Sequence, residues 1–523
     1  MRTPCETIGR SAAGVALCHE QARPWVLTAT ILASSMAFID STAINVALPS
    51  LQRSFHATVV DVQWVVESYG LFLGALILAG GSLGDLLGRR LIFVVGTALF
   101  ALASAACSLA PSIQLLIAAR SIQGVGAALL VPGSLAIISA SFDAKSRGSA
   151  IGTWSGFTAI TMALGPLLGG WLVEHASWRW VFVINLPLAA AVAGVSLWRI
   201  PESRSSIAAR LDWSGVILAT LGLGGLVFGF IESTSLGWRS PLVLGSLIGA
   251  VGSLLLFSVQ EARTRFPMVP LALFRNRNFA GANLLTLFLY SAIGTFFFLL
   301  PLNLIQVQGY TATAAGAAIL PLIILVFLLS RWSGGLVAHY GPRKPLIVGP
   351  LIVALGFLLF AVASAGARYW ISFFPAVLVL GFGMALTVAP LTTDVMNSVD
   401  ENRVGTASGI NNAVARVAGV LGIAVLGIAM VWAFRGRLDQ DVGRLALPPA
   451  AVEQIHAQET RLGALQPPAS LDANARAAVT MSIRQAFVFG FRVVMLICAA
   501  LAVVSAVAAF RWVPEEQGAG GRL

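Results

Sequence analysis

Apolar residues in this chain come in long uninterrupted runs, and polar residues are confined to the short gaps between them. A helix that crosses the hydrocarbon core of a bilayer needs about 20 mostly apolar residues, and roughly fourteen stretches meet that length. They fall at 26–48, 63–82, 91–110, 113–133, 149–172, 180–199, 213–232, 241–259, 280–304, 312–331, 345–365, 370–391, 404–432 and 487–510. No ten-residue segments alternate as the strands of a membrane barrel would. In lipid every backbone amide must be satisfied within its own segment, so runs of this kind are helices. The pattern predicts an all-α polytopic membrane protein.

The gaps carry their own signal. "GSLGDLLGRR" (Gly81–Arg90) packs three charges and three glycines between two apolar runs, and "GGLVAHYGPRK" (Gly334–Lys344) repeats its outline with Ala338 in place of the aspartate. The offset is about 253 residues, and similar offsets recur elsewhere. "GVGAALLVP" (Gly124–Pro132) matches "GFGMALTVAP" (Gly381–Pro390), and Arg147-Gly148-x-Ala150-x-Gly152 resembles Arg403-x-Gly405-x-Ala407-x-Gly409. Gly165 falls on Gly422, and Pro49 on Pro301. Recurrence at one interval predicts two homologous six-helix bundles with two further spans between them. The expected organisation is a tail at 1–25, a first bundle at 26–200, two extra helices within 201–279, a second bundle at 280–510 with a long outer loop at 433–486, and a tail at 511–523.

Composition confirms the class and charge orients it. The 523 residues are 57% hydrophobic and 11% charged, with mean hydropathy +0.86. A formal charge of +11 invites a nucleic-acid reading, but the basic residues are scattered through short connections. With the N-terminus inside, about 20 Arg and Lys lie in tails and inner loops against about 4 in short outer loops, which places both termini in the cytoplasm. The first apolar run is long enough to span, so it reads as an uncleaved first helix and not as a signal peptide. Cys5, Cys18, Cys107 and Cys498 offer no extracellular disulfide, and His19, His56, His175, His339 and His456 show no metal-site spacing. No metal is expected. The two lysines, Lys145 and Lys344, lie outside any Walker A pattern, which excludes an ATP-driven permease of that type.

Charged groups at spanning depth are costly unless paired or hydrated. Asp40 in the first span and Arg120 in the fourth are placed at similar depth below the outer edge. An arginine beside a carboxylate favours its charged form and its withdrawal favours proton uptake, so the pair either loads and releases a proton or simply ties two helices together. Glu67, in "QWVVESYG" near the outer mouth with Tyr69 close by, either holds a cationic substrate or snorkels to water. Gly152, Gly165, Pro166, Gly169 and Gly170 on helix five allow close packing and a kink, as a flexible seal or as plain helix packing. Asn411 and Arg416 on helix thirteen are substrate-binding candidates; Arg416 either anchors substrate or bonds carbonyls. In the loop "GSLGDLLGRR", Gly81 and Gly88 permit a tight turn, and Asp85, Arg89 and Arg90 either form an inner-loop gate by contacts with neighbouring helix ends or make a solvated turn that obeys the positive-inside rule.

These motifs together resemble the major facilitator superfamily, and within it the fourteen-helix drug:proton antiporters of the EmrB/QacA type. "GSLGDLLGRR" looks like the superfamily's inner-loop signature and "FIDSTAINVALP" (Phe38–Pro49) like the first-helix signature of the fourteen-helix branch. "RSIQGVGAAL" (Arg120–Leu129) resembles the fourth-helix motif, whose arginine is associated with proton coupling. "LGPLLGGWL" (Leu164–Leu172) resembles the exporters' fifth-helix antiporter motif, with Thr161 where a glycine is usual, and "WRWVFVINLP" and "GINNAVARVAGVLG" also look like this branch. The resemblance implies a proton-coupled exporter of hydrophobic or amphipathic small molecules, not an enzyme. It implies no cofactor beyond the proton gradient. The expected partners are a small-molecule substrate, protons and the lipid bilayer, with no nucleic acid; a periplasmic adaptor is left open. The expected location is the inner or plasma membrane. A transporter of one metabolite on the same fold is the alternative, exporting a siderophore, amino acid or peptide, or working in uptake by symport.

Overall fold

The computed structural model describes residues 23–142, 144–204, 212–264, 267–400 and 403–515. The terminal tails at 1–22 and 516–523, with Cys5, Cys18 and His19, lie outside the described residues, as do the side chains of Arg147 and Ala338.

Fourteen helices among the described residues are long and apolar enough to cross a membrane, and no strand is present there. In chain order they are α1 (Arg23–Phe55), α2 (Val59–Leu87), α3 (Arg89–Leu109), α4 (Ile113–Ser141), α5 (Ala144–His175), α6 (Trp180–Arg199), α7 (Trp213–Leu236), α8 (Pro241–Arg263), α9 (Arg277–Val307), α10 (Ala312–Ser330), α11 (Arg343–Val362), α12 (Tyr369–Asn397), α13 (Val404–Val442) and α14 (Ala473–Trp512). All fourteen expected spans are recovered.

Their ends differ from the apolar runs for physical reasons. A run marks the part that meets lipid, whereas caps set where the helix begins. Thr58 and Asp61 exchange bonds at the start of α2: the Thr58 backbone N–H and Oγ1 both donate to Asp61 Oδ2 at 2.7 Å, and the Asp61 N–H donates to Thr58 Oγ1 at 3.2 Å. This reciprocal cap starts α2 four residues before the apolar run does. The expected loop at 433–486 is shorter than its boundaries. α13 continues to Val442 and α14 begins at Ala473, where the Asp472 side chain accepts the Ala475 N–H at 2.6 Å. Between them lie a short helix, Pro449–His456, and a turn, Glu459–Ala464.

Two compact units make up the chain. One is Met1–Ile44, Ser68–Gly224 and Gly249–Leu271; the other is Asn45–Glu67, Gly225–Ile248 and Ala272–Leu523. The second unit thus contains, besides the second half, the ends of α1 and α2 that flank their connection and the adjoining ends of α7 and α8.

Glycines carry the repeat into three dimensions. A Cβ on Gly124 of α4 would lie 2.5 Å from the Tyr69 carbonyl oxygen of α2, and one on Gly381 of α12 would lie 2.9 Å from the Leu322 Cα of α10. A Cβ on Gly165 of α5 would meet Thr42 Oγ1 of α1 at 1.9 Å, and one on Gly422 of α13 would meet the Ser291 carbonyl oxygen of α9 at 2.3 Å. Small residues let helix backbones touch in a membrane. Each half therefore builds the same two close crossings with residues that the repeat pairs in sequence.

The turns after α2 and before α11 match as well. Gly88, between α2 and α3, has φ 124°, and its counterpart Gly341, before α11, has φ 71°. Both conformations favour glycine. After each turn an arginine clasps the end of the last helix of its own half or the chain that follows it. Arg90 Nη1 donates to the Ile200 carbonyl at 3.0 Å, and Arg90 Nε lies 3.9 Å from Glu202. Arg343 donates to the Phe510 carbonyl at 2.8 Å and to Glu515 Oε2 at 3.1 Å. Glu202 and Glu515 each follow a proline, in "IPE" and "VPE".

Candidate functional site

The first unit buries a polar cluster contributed by five helices. Asp40 sits midway along α1 and Arg120 two turns into α4; both side chains are wholly enclosed, and Arg120 Nη1 donates to Asp40 Oδ2. Asp40 Oδ1 accepts from Gln123 Nε2 at 2.9 Å and from Asn185 Nδ2 at 3.1 Å. Arg120 Nη1 also donates to Gln123 Oε1 at 2.7 Å. Ser104 Oγ of α3 accepts from Gln123 at 2.8 Å and from Asn185 at 3.2 Å. The guanidinium carbon lies 4.3 Å from the centroid of the Tyr69 ring, whose hydroxyl donates to the Ala37 carbonyl at 3.3 Å. A buried ion pair repays its desolvation only when further hydrogen bonds satisfy its remaining atoms, and both Asp40 oxygens are so satisfied.

Local sequence explains the placement. Gln123 follows Arg120 by three residues, which puts both on one face of α4. Asn185 opens the longer segment of α6, directly after the short one, Trp180–Val183. The α1–α5 crossing at Gly165 and Gly169 lies beside Asp40 in sequence: the latter would bring a Cβ within 2.7 Å of Ala43. Pro166 and Gly170 are buried on the same helix, while Gly152 has nothing within 4 Å of a Cβ. The helix-five motif therefore divides into a tight crossing and an open position.

Of the residues singled out from sequence, Asp40 and Arg120 are brought together. Tyr69 joins them beneath the guanidinium. Gln123, Asn185 and Ser104 were not singled out; Gln123 and Asn185 lie within the motifs "RSIQGVGAAL" and "WRWVFVINLP", and Ser104 carried no signal.

Asp85 pairs with Arg89 one turn on, at 2.7 Å. Arg90 turns to Glu202, a partner hidden by its separation of 112 residues. Glu202 Oε1 accepts the Arg90 N–H at 3.0 Å, and its Oε2 accepts the Leu91 N–H at 3.1 Å, so it caps α3. A Cβ on Gly88 would strike this carboxylate at 2.7 Å, and one on Gly81 would make ordinary contact with Pro132 at 3.7 Å.

The reading of Glu67 as a snorkelling interfacial residue is overturned. α2 begins at Val59, so Glu67 lies two turns in; its side chain has 0% exposure, and neither oxygen has a hydrogen-bond partner among the described residues. Nor do its aromatic neighbours in sequence form a cage around it. Trp64 donates to Glu232 Oε1 of α7 at 2.8 Å and packs on Phe228, while Tyr69 belongs to Arg120.

In the second unit Asn411 Nδ2 donates to Thr286 Oγ1 at 2.8 Å and to Asn283 Oδ1 at 3.2 Å, joining α13 to α9. Arg416 is half-buried on the same helix as Asn411. At the end of α13 and in the connection after it Asp439, His456 and Glu459 converge, with His456 Nδ1 bonded to Glu459 and 3.5 Å from Asp439. No sequence spacing announced this trio. Arg435 Nε already neutralises Glu459 at 3.1 Å.

Residues 30–423 match the family model described as Major Facilitator Superfamily. The chain belongs to the major facilitator superfamily. It is 34% identical over 504 residues to the multidrug resistance protein Stp of Mycobacterium tuberculosis (strain CDC 1551 / Oshkosh), covering 95% of this chain and 93% of that one. The tetracenomycin C resistance and export protein of Streptomyces glaucescens is 32% identical, with 93% and 91% covered. Among solved structures, a bacterial homolog of the human lysosomal transporter Spinster superposes with TM-score 0.65 at 19% identity, covering 95% of this chain and 100% of that one. As a member of this superfamily with fourteen apolar helices, the chain is a multi-pass membrane transporter.

Proposed function

We propose that this chain is a proton-driven exporter of hydrophobic or amphipathic small molecules, antibiotics among them. It sits in the plasma membrane with both termini in the cytoplasm and draws its energy from the proton gradient with no cofactor. The observation that carries this reading is the wholly buried Asp40–Arg120 pair, one titratable acid held by a fixed cation at the centre of a bundle. Relatives along nearly the whole chain are named for multidrug resistance and for export of tetracenomycin C.

The chemistry follows from the cluster. Arg120, Gln123 and Asn185 hold both oxygens of Asp40, and a rearrangement that withdraws Arg120 frees one of them to take a proton instead. The face to which the cluster opens then decides where the proton enters and leaves. Asn411 and Arg416, on the second-half helix, supply polar contacts to substrate, and apolar side chains supply its affinity. Asp85, Arg89, Arg90 and Glu202 hold the inner turn.

The test is ΔpH-driven export in inverted membrane vesicles, with methylenomycin A, tetracenomycin C and lincomycin as probes. Wild type should accumulate at least one probe in a protonophore-sensitive manner, and Asp40→Asn should not. Accumulation by Asp40→Asn under a pH gradient alone would overturn the assignment of Asp40. Accumulation that runs in the uptake direction would favour a symporter.

A further inference from the structure

An unpaired carboxylate buried away from water costs several kcal/mol in the folded protein, so a carboxyl in that position carries a proton or holds a cation. Glu67 is such a group. It is enclosed at 0% exposure, and neither oxygen has a hydrogen-bond partner among the described residues. The other wholly enclosed carboxyl among the described residues, Asp40, has bonded neighbours.

Its surroundings say when the proton must arrive. One turn before Glu67 on α2, the buried Gln63 donates to the Ile423 carbonyl of α13 at 3.3 Å, and a Cβ on Gly427 would lie 2.0 Å from Gln63 Nε2. At the end of α1 the buried Gln52 accepts from Gln306 of α9 at 2.6 Å. All of these residues lie in the second compact unit, at the end that carries the α1–α2 connection. Two uncharged amide contacts and a glycine crossing thus close this end over Glu67. An open end would leave the carboxylate hydrated, and hydration cannot persist once these helices pack.

We propose that Glu67 is a second proton-binding site of this transporter, loaded from the side on which the α1–α2 connection lies, and that this end closes only after the proton is bound. The proton comes from water at the open mouth, neutralises the carboxylate, and is held until the end reopens. This rests on the transporter reading but not on Asp40 or on any particular substrate. By linkage, a closed state that binds one more proton than the open state is favoured as pH falls, by at most tenfold per pH unit.

The experiment is a distance measurement on purified protein without substrate. Cys5 and Cys18 are replaced by serine, spin labels are placed at Ser54→Cys and Ala314→Cys, both exposed, and the closed fraction is followed by pulsed electron resonance from pH 5 to pH 9. Wild type should shift toward the closed distance as pH falls. Glu67→Gln, permanently neutral, should be closed with no pH dependence, while Glu67→Asp should keep the dependence and show that substitution at this position is tolerated. A Glu67→Gln protein that retains the wild-type pH response overturns the proposal, as does a wild-type protein whose closed fraction does not change with pH. Failure of vesicle export with these results intact would instead count against the exporter reading.

Discussion

Removing Arg120 alone should be worse for the protein than removing Arg120 and Asp40 together. In Arg120→Ala, Asp40 keeps its bonds from Gln123 and Asn185 but loses the only cation that contacts it among the described residues. Stripping one partner from a buried pair typically costs about 3–5 kcal/mol, because the remaining charge is left uncompensated, whereas replacing both by neutral groups of similar size is often close to neutral. Asp40→Asn/Arg120→Gln keeps most of the volume and leaves two amides that can bond Gln123, Ser104 and Asn185. The double variant should therefore recover most of the stability lost by Arg120→Ala, with the two substitutions strongly non-additive. Thermal unfolding in detergent reports this through the buried thiols Cys107 and Cys498, whose labelling marks loss of the fold. The double variant should remain inactive in proton-driven export, which separates the structural role of the pair from its chemical one. An Arg120→Ala protein as stable as wild type, or a double variant less stable than either single one, would refute the account of the cluster.

Further outcomes follow from the helix crossings and the turns. Gly165→Ala and Gly422→Ala should each impair folding or transport, because a Cβ would press on Thr42 at 1.9 Å and on the Ser291 carbonyl at 2.3 Å, whereas Gly152→Ala should be silent in the same expression and export assays. Gly88→Ala forces an L-residue to φ 124° and a methyl into Glu202; the backbone strain alone is about 1–3 kcal/mol, and thermal unfolding should show it. Glu202→Ala should cost about 1 kcal/mol through loss of the α3 cap, while Arg90→Gln, which loses a partly exposed ion pair and the bond to the Ile200 carbonyl, should cost under about 1 kcal/mol; a reversed order would mean that the Arg90 side chain and not capping holds the turn.

Sequence by itself determined the class of fold, because a bilayer leaves a chain few options. Fourteen long apolar runs admit only helices, and the recurrence of "GVGAALLVP" in "GFGMALTVAP" announced two related halves before any contact was known. Asp40 and Arg120 were legible for the same reason: charge at spanning depth is so costly that its presence signals a partner. What surrounds them was not legible. Gln123, Asn185 and Ser104 are ordinary polar residues whose convergence on one carboxylate depends on how α1, α3, α4 and α6 pack. Glu202 is separated from Arg90 by more than three spans, and nothing local marks it as the cap of α3. Glu67 shows the limit most plainly. Its position near the start of an apolar run suits an interfacial residue, and only the cap at Thr58–Asp61, which begins the helix earlier, together with the amide contacts of Gln52 and Gln63, turns it into an enclosed and unpartnered acid. Composition and periodicity report what a segment prefers next to lipid or water; which polar groups meet, and which are left alone, is decided by the crossing of helices far apart in the chain.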